Sequence, residues 1–236
     1  MRPGSTGAGD ESRADAWKAW RAEAFADLFA CCAAGPEFVW RLVDLLARRG
    51  QEITADSVDG QDGWGDYPTT TLRVLLNAAA LDRLGHGNEA ALVRAEWTSS
   101  YPTHAMAAFL PDLPVVADAI LSSGSGLLPP DLAFSRTGQQ PARALNRLRQ
   151  NLPLGDDKTL QDPRAVVAAA STVYRQQPGA DHRDRWQAAR RHIVSARPAG
   201  LLAEEHKSAT RLDDDQDRAA GRTHAISFFD AIDALE

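Results

Sequence analysis

The sequence predicts an all-α protein, and three observations support this fold class. Its 236 residues are rich in alanine and arginine, whereas valine, isoleucine, tyrosine and phenylalanine, which favour strands, are sparse. Apolar residues recur at helical spacing in several segments, and no segment alternates convincingly between apolar and polar residues as a strand would. Glycine and proline end these segments at short intervals. We therefore expect a multi-helix bundle or an irregular helical array of roughly ten helices with short loops.

The first two helices are predicted on either side of the Gly35-Pro36 pair. Glycine favours the end of one helix, and proline suits the first turn of the next. The earlier helix carries one apolar stripe, formed by Trp17, Trp20, Ala24, Leu28 and Cys31. The second helix is predicted to face the core with Val39, Leu42, Val43 and Leu46.

Residues 51–68 form the longest polar, glycine-punctuated connection in the N-terminal half. A helix is expected over residues 69–84, opened by a threonine cap and closed by Gly85. Residues 88–98 follow at once, which predicts a tight helical hairpin. Beyond it, prolines divide the chain into short pieces, among them MAAFL and PVVADAIL, at Pro102, Pro111 and Pro114.

The C-terminal part is predicted to begin after a loop-rich connection over residues 122–139. Three helices are expected there, near residues 140–151, 162–177 and 181–197. The Asp162-Pro163 pair is a strong start signal for the second of them, because it joins a capping side chain to a proline in the first turn. A last apolar helix is predicted in HAISFFDAIDALE.

These elements define four regions of the chain. Residues 1–12 are predicted to be a disordered lead-in, and residues 13–121 an acidic helical region. The loop-rich connection leads to a basic helical region with an acidic C-terminal segment, at residues 140–236. We expect this last region to pack with residues 13–121 as one domain.

The distribution of charge along the chain is uneven. The net charge is −6, but residues 136–197 contain 12 arginine and lysine residues against 5 acidic residues, a net charge of +7. The remaining chain contains 14 basic and 27 acidic residues. One part of the protein is therefore basic and the rest strongly acidic, which points to a charged binding surface.

The basic helices are amphipathic. In QQPARALNRLRQNL, the leucines at 145, 148 and 152 are predicted to point one way, and Arg143, Asn146, Arg147 and Gln150 the other. In HRDRWQAARRHIV, we expect Trp186, Ala189 and Ile193 to face inward. Arginines are expected beside or opposite these inward residues at positions 183, 190 and 191.

Guanidinium groups pair well with phosphate, so this pattern predicts a surface for nucleic-acid backbone or another polyanion. The candidate binding residues are Arg143, Arg147, Arg149, Arg183, Arg190 and Arg191. The alternative is that these arginines pair with the acidic remainder of the same chain, or only solvate a helix face. The leading hypothesis is a non-enzymatic binding subunit.

A second hypothesis is a protein–protein interaction adaptor or regulator. The helical hairpins and the segment DGQDGWGDYP would supply its contacts, with Trp64 and Tyr67 as the candidate partner-binding residues. Trp64 lies between two glycines, and turn chemistry alone does not require a tryptophan there. We expect it either to fold back onto the core or to be an exposed contact residue.

A third hypothesis is an enzyme. Arg185 and His192 form an R-x6-H pattern in RDRWQAARRH, which resembles the signature of HEPN ribonucleases. This resemblance implies an all-α protein that cleaves RNA at a dimer interface. A spacing of seven residues places the two side chains on one helical face, where they could handle a phosphate and a proton together.

Clusters of aspartate raise the question of a metal site. The ligand spacing of an EF-hand does not fit DGQDGWGD, although Asp59, Asp62 and Asp66 could surround a cation in an irregular loop. The run LDDDQD contains a DDxxD pattern that resembles the magnesium motif of class I isoprenoid synthases, at Asp213, Asp214 and Asp217. The alternative for this run is a solvated acidic helix start.

No motif for a nucleotide or redox cofactor is present, so no cofactor is expected. The only two cysteines, Cys31 and Cys32, are adjacent and form no disulfide framework. Residues 1–15 have no apolar core like that of a signal peptide, and no run approaches the roughly 18 apolar residues of a membrane span. We expect a cytoplasmic protein of bacterial composition without a membrane partner, while a protein partner or a homo-oligomer remains open.

Overall fold

The computed structural model describes residues 7–50, 53, 67–123, 133–177 and 182–195. Over these residues it contains eight α-helices and no strand, which confirms the all-α fold class. The helices form two compact units, one in the described residues up to 123 and the other from residue 133 onward. That residues 140–236 pack with the first region as one domain stays a prediction.

The described part of the first unit contains five helices: α1 (Gly7–Ala34), α2 (Pro36–Leu46), α3 (Thr70–Arg83), α4 (Gly87–Ser100) and α5 (Leu113–Ser123). The described part of the second unit contains three: α6 (Gln140–Arg149), α7 (Pro163–Gln176) and α8 (Arg183–Ser195). Short 3-10 turns lie at His104–Met106, Leu110–Asp112, Phe134–Thr137 and Leu154–Asp156.

Helix α3 is the centre of the first unit, where it packs against α1, α2, α4 and α5. Almost all of its residues between Thr70 and Leu81 are buried, and only Arg73 is partly exposed. A helix surrounded on all sides needs small or apolar residues on every face, which TTLRVLLNAAAL provides. The exceptions, Arg73 and Asn77, lie one turn apart and face polar partners on α1.

Both ends of α3 follow the predicted signals. The hydroxyl of Thr69 accepts a hydrogen bond from the backbone N–H of Leu72 at 3.4 Å, as an N-cap does. At the other end Gly85 has a φ of 84°, in the left-handed region. The N–H of His86 donates to the carbonyl of Leu81 at 2.8 Å and closes the helix.

The predicted apolar stripes of α1 and α2 are confirmed. The stripe of α1 is buried at Trp17, Trp20, Ala24, Leu28 and Cys31, and α2 is buried at Val39, Leu42, Val43 and Leu46. Phe109 packs against both of the first two tryptophans, with ring centroids 6.3 and 5.4 Å away. Cys31 and Cys32 are free thiols, and burial raises the pKa of Cys31, which suits a core residue.

The number of α-helices in the described residues is eight rather than roughly ten. The predicted short piece MAAFL lies among 3-10 turns, in the segment that the prolines divide. The predicted final helix lies outside the described residues. Among the described helices none is long and apolar enough to cross a membrane.

Helix α7 is the middle helix of the second unit and packs against α6 and α8. It begins at the predicted signal, where Asp162 accepts a hydrogen bond from the N–H of Arg164 at 2.9 Å and Pro163 occupies the first turn. The three helices share a small core of alanine, leucine and valine, consisting of Ala144, Leu148, Leu154, Leu160, Val166, Ala169, Val173 and Ala189.

Two predicted inward residues of this unit are exposed. Leu152 is 43% exposed, because it follows the end of α6 rather than continuing its apolar face. Trp186 is 59% exposed, whereas Ala189 is buried and Ile193 packs against the core as predicted. The apolar cluster on which α8 packs consists of alanine, leucine and valine side chains, and the indole of Trp186 is not part of it.

Candidate nucleic-acid interface

Helix α6 ends at a residue with an unusual backbone conformation. Asn151 has a φ of 54°, in the left-handed region that favours glycine. Its N–H donates to the carbonyl of Leu148 at 3.3 Å, and the N–H of Leu152 donates to the carbonyl of Arg147 at 2.9 Å. These two bonds form the motif that glycine commonly completes at a helix end. Asparagine also tolerates this conformation, and it adds an amide side chain.

That amide holds an arginine of α8. Arg185 donates from Nε to Oδ1 of Asn151 at 3.4 Å and from Nη1 to Oε1 of Gln177 at 2.8 Å. Beside them, Nη2 of Arg149 donates to Oε1 of Gln176. We call Arg149 and Arg185 the amide-held pair. Their acceptors are neutral, so the hydrogen bonds position both guanidinium groups without neutralising their charge.

The other two candidate arginines of α6 are held by the turn that follows it. Nη1 of Arg143 donates to the hydroxyl of Thr159 at 3.0 Å. Arg147 donates from Nε to the carbonyl of Pro153 at 2.8 Å, and its Nη2 lies 3.5 Å from a carboxylate oxygen of Asp156. The charge of Arg147 is therefore partly balanced within the unit.

A further carboxylate stands near the same turn. Hydrogen bonds from the hydroxyl and backbone N–H of Thr159 lower the pKa of Asp157, and the positive charges of Arg143 and Arg147 act in the same direction. Asp157 therefore stays ionised at neutral pH and reduces the positive potential around these two arginines. The amide-held pair lies at the opposite end of α6 from Arg143 and has no such carboxylate partner among the described residues.

The remaining candidate arginines lie on the outer face of α8. Arg183, Arg190 and Arg191 are all exposed, and for Arg190 and Arg191 no ion pair exists within the described residues. The exposed ring of Trp186 lies between them in sequence, three residues after Arg183 and four before Arg190. Residues with these spacings share one helix face. The exposed face of α8 is therefore basic and aromatic together.

Arg185 and His192 make hydrogen bonds to different partners. Nε2 of His192 donates to the carbonyl of Leu160 at 2.8 Å, which fixes the half-buried ring against the core of the unit. Arg185 is held by the two amides at the other end of the helix, about 10 Å away along its axis. A HEPN-like ribonuclease stays an untested prediction.

The partner-binding candidates can be located in part. Tyr67 is 65% exposed and lines a cavity of about 350 Å³ in the first unit. Arg73 also lines this cavity, but its guanidinium is engaged by Asp27 and Glu23. Trp64 lies outside the described residues.

The aspartates proposed as metal ligands also lie outside the described residues, at positions 59, 62, 66, 213, 214 and 217. Across the residues that are described, no three histidine, cysteine, aspartate or glutamate side chains form a group that could hold a metal ion. The arginine helices are therefore the part of the candidate site that the structure describes most fully.

Sequence reasoning missed the amide acceptors and the exposed aromatic rings of this candidate interface. Asn151 carried a usable signal, because asparagine directly after an amphipathic helix is typical of a left-handed helix end. Gln176 and Gln177 carried none, since glutamine is ordinary at a helix end. Tyr174, which is 56% exposed and lies 5.4 Å from the ring of His182, was equally unmarked.

Comparisons with known proteins gave no match. No protein-family model, no curated protein and no solved structure matches the chain. The roles of its residues must therefore be inferred from their own geometry and chemistry.

Proposed function

We propose that the protein is a non-enzymatic binding subunit whose arginine-rich helices contact the phosphate backbone of nucleic acid. One observation carries this proposal: Arg149 and Arg185 are held by the neutral side chains of Asn151, Gln176 and Gln177. A carboxylate partner would compensate the charge of an arginine. An arginine positioned by amides keeps its full charge and is ready for an external anion.

The first unit provides the contrast within the same molecule. Five arginines of that unit pair with its acidic side chains, in the pairs Arg13–Asp112, Arg41–Glu37, Arg73–Asp27, Arg83–Asp118 and Arg94–Asp82. The expectation of internal neutralisation therefore describes these arginines well. It describes the amide-held pair poorly, because the acceptors of that pair carry no charge.

Phosphate is the anion that fits this arrangement best. A guanidinium group can donate two parallel hydrogen bonds to phosphate oxygens, and two prepositioned arginines lose little side-chain entropy on binding. The exposed arginines of α8 would add contacts along a chain of phosphates. A linear polyanion meets several of these groups at once, whereas a single small anion does not.

The test compares two double variants of the full-length protein that lose the same charge. Arg149→Gln with Arg185→Gln removes the amide-held pair, whereas Arg83→Gln with Arg94→Gln removes two arginines that are ion-paired in the first unit. Binding to fluorescently labelled DNA and RNA is measured by anisotropy at several salt concentrations. We expect the first double variant to weaken binding at least tenfold and to reduce the slope of log K against log salt by about 2.

The control variant should bind nearly as tightly as the wild type, and the melting temperatures of all three proteins are compared so that unfolding is not mistaken for lost binding. Equal losses in both double variants would show a general charge effect and would contradict the proposed site. Absence of salt-dependent binding to any DNA or RNA would overturn the proposed function. The nucleic acid should also be recovered intact, and cleavage that His192→Ala abolishes would instead support a ribonuclease.

A further inference from the structure

Trp186 differs from every other tryptophan that the structure describes. Trp17, Trp20, Trp40 and Trp97 are all at least 92% buried, whereas Trp186 is 59% exposed. Its indole makes no hydrogen bond and no ring contact with the described residues. Exposure of a large apolar ring forgoes the free energy that its burial would supply, so such a ring on a folded surface is often a contact residue.

The surroundings of Trp186 identify the charge of its ligand. Arg183 lies three residues before it and Arg190 four residues after it, so all three share one face of α8. Along the helix axis this face spans about 10 Å. A ligand that covers the indole must therefore pass two positive groups, which favours a ligand with negative charges on both sides of a flat apolar group.

A second exposed aromatic ring lies near the start of the same helix. The ring of Tyr174 on α7 lies 5.4 Å from the ring of His182. His182 immediately precedes α8, and its backbone carbonyl accepts a hydrogen bond from the backbone N–H of Trp186 at 2.8 Å. Arg185, a member of the amide-held pair, lies on the turn between them. Two exposed aromatic side chains and an arginine therefore lie near the end of α7 and the start of α8.

We infer that Trp186 is a stacking platform for an unpaired base of single-stranded nucleic acid, with Arg183 and Arg190 contacting the phosphates on either side. This inference rests on the proposed function and narrows its ligand to unpaired strands. In a duplex both faces of each base are covered by neighbouring bases, so an exposed indole gains nothing from them. In a single strand a base can leave its neighbours and stack on an aromatic side chain.

The experiment compares thymine, uracil and abasic strands of equal length, about twelve nucleotides, which fits the usual footprint of such sites. The abasic strand keeps the phosphates and lacks the bases, so it separates stacking from phosphate contact. The variants are Trp186→Leu, which removes the aromatic ring, and Trp186→Phe, which retains one. Because position 186 lies on the surface, neither substitution should lower the melting temperature.

We expect Trp186→Leu to weaken binding of the thymine or uracil strand about tenfold and to leave abasic binding unchanged. Trp186→Phe should retain most of the affinity. Comparison of a thymine strand on a DNA backbone with a uracil strand on an RNA backbone shows whether the unpaired base comes from single-stranded DNA or from RNA. Quenching of tryptophan fluorescence by the base-containing strand, absent in Trp186→Leu, would support direct stacking.

The inference is overturned if Trp186→Leu weakens thymine, uracil and abasic strands equally, or weakens none of them. Tighter binding of a duplex than of a single strand of the same length would also overturn it. These outcomes leave salt-dependent phosphate binding intact, and with it the proposed function. If the wild type binds no strand and instead binds a protein partner through Trp186, even after nuclease treatment, both the stacking inference and the proposed function are rejected. That result would favour an adaptor.

Discussion

At the scale of single residues, the partner of an arginine decides what its charge is used for. Arg73 on the central helix α3 is half-buried, and both oxygens of Asp27 accept its hydrogen bonds, at 2.9 and 2.8 Å. Burial acts against the charged form of Arg73, but the hydrogen bonds and negative charge of Asp27, together with Glu23, prevail and raise the pKa of Arg73. Here the arginine joins two helices of one core.

Asp27 also orients a second residue of α3. Nδ2 of the fully buried Asn77 donates to Oδ2 of Asp27 at 3.4 Å and to the carbonyl of Arg73 at 3.0 Å. Both acceptors fix the orientation of the amide. Oδ1 of Asn77 is then buried without a hydrogen-bond partner among the described residues. The carboxylate of Asp27 thus binds both Arg73 and Asn77. Among the described residues, Arg73 has one further carboxylate partner, Glu23, and Asn77 has none.

We predict that Asp27→Asn lowers the free energy of unfolding by about 2 to 4 kcal/mol. The substitution leaves the partly buried charge of Arg73 with only Glu23, and breaking a buried pair from one side costs more than the pair itself contributes. The measurement is urea unfolding at neutral pH. Asp44→Asn is the matched control, because Asp44 pairs with Arg41 on the surface, and it should cost less than about 1 kcal/mol. Equal losses would contradict the assigned role of Asp27.

At the scale of an element, the end of α6 combines two tasks in one residue. The comparable end of α3 uses glycine, at Gly85, and only reverses the chain. The end of α6 uses Asn151, which makes the same backbone bonds and also presents an amide to Arg185. Asparagine in the left-handed region is less favourable than glycine, so stability alone would favour glycine here.

We predict that Asn151→Gly leaves the melting temperature unchanged or raises it slightly, while it weakens nucleic-acid binding two- to fivefold. Glycine completes the helix end but cannot hold Arg185, which becomes less ordered before binding. Asn151→Ala is the comparison, because alanine loses the amide and also strains the backbone, and it should destabilise the protein by about 1 kcal/mol. Unchanged affinity in the glycine variant would show that the amide does not assist binding.

At the scale of the whole molecule, the net charge does not describe the surroundings of each arginine, which differ between the two units. The chain carries a net charge of −6, yet residues 136–197 carry +7. In the first unit five arginines pair with carboxylates. In the second unit several arginines donate to hydroxyl or amide groups instead, as Arg143, Arg149 and Arg185 do. Local charge, rather than net charge, then governs which polymers the protein attracts.

We predict that the intact protein, although acidic overall, is retained on immobilised heparin at low salt and elutes as the salt concentration rises. Heparin presents closely spaced anionic groups, and their counterions are released when arginines bind them. The double variant Arg149→Gln with Arg185→Gln should elute earlier, and the Arg83→Gln with Arg94→Gln variant should elute with the wild type. Failure of the wild type to bind the column would contradict an open basic face.

Much of the helical framework could be predicted because its signals are local. The stripe through Trp20 and Leu28, the cap at Thr69 and the Asp162-Pro163 start each depend on residues within a few positions of one another. The turns around MAAFL were harder to predict, because so short a piece shows no helical periodicity. Trp186 was placed inward on periodicity alone, which does not report whether the neighbouring helices leave room for its ring.

By itself, the sequence determined the helical class, the position of most described helix ends and the concentration of arginine in one part of the chain. These properties follow from backbone preferences, short-range periodicity and composition. Tertiary structure alone decided which arginines have neutral partners, and that the indole of Trp186 is exposed. The physical reason is distance along the chain: Arg185 meets Asn151 across 34 residues and Arg149 meets Gln176 across 27, and only the packing of the three helices brings them together.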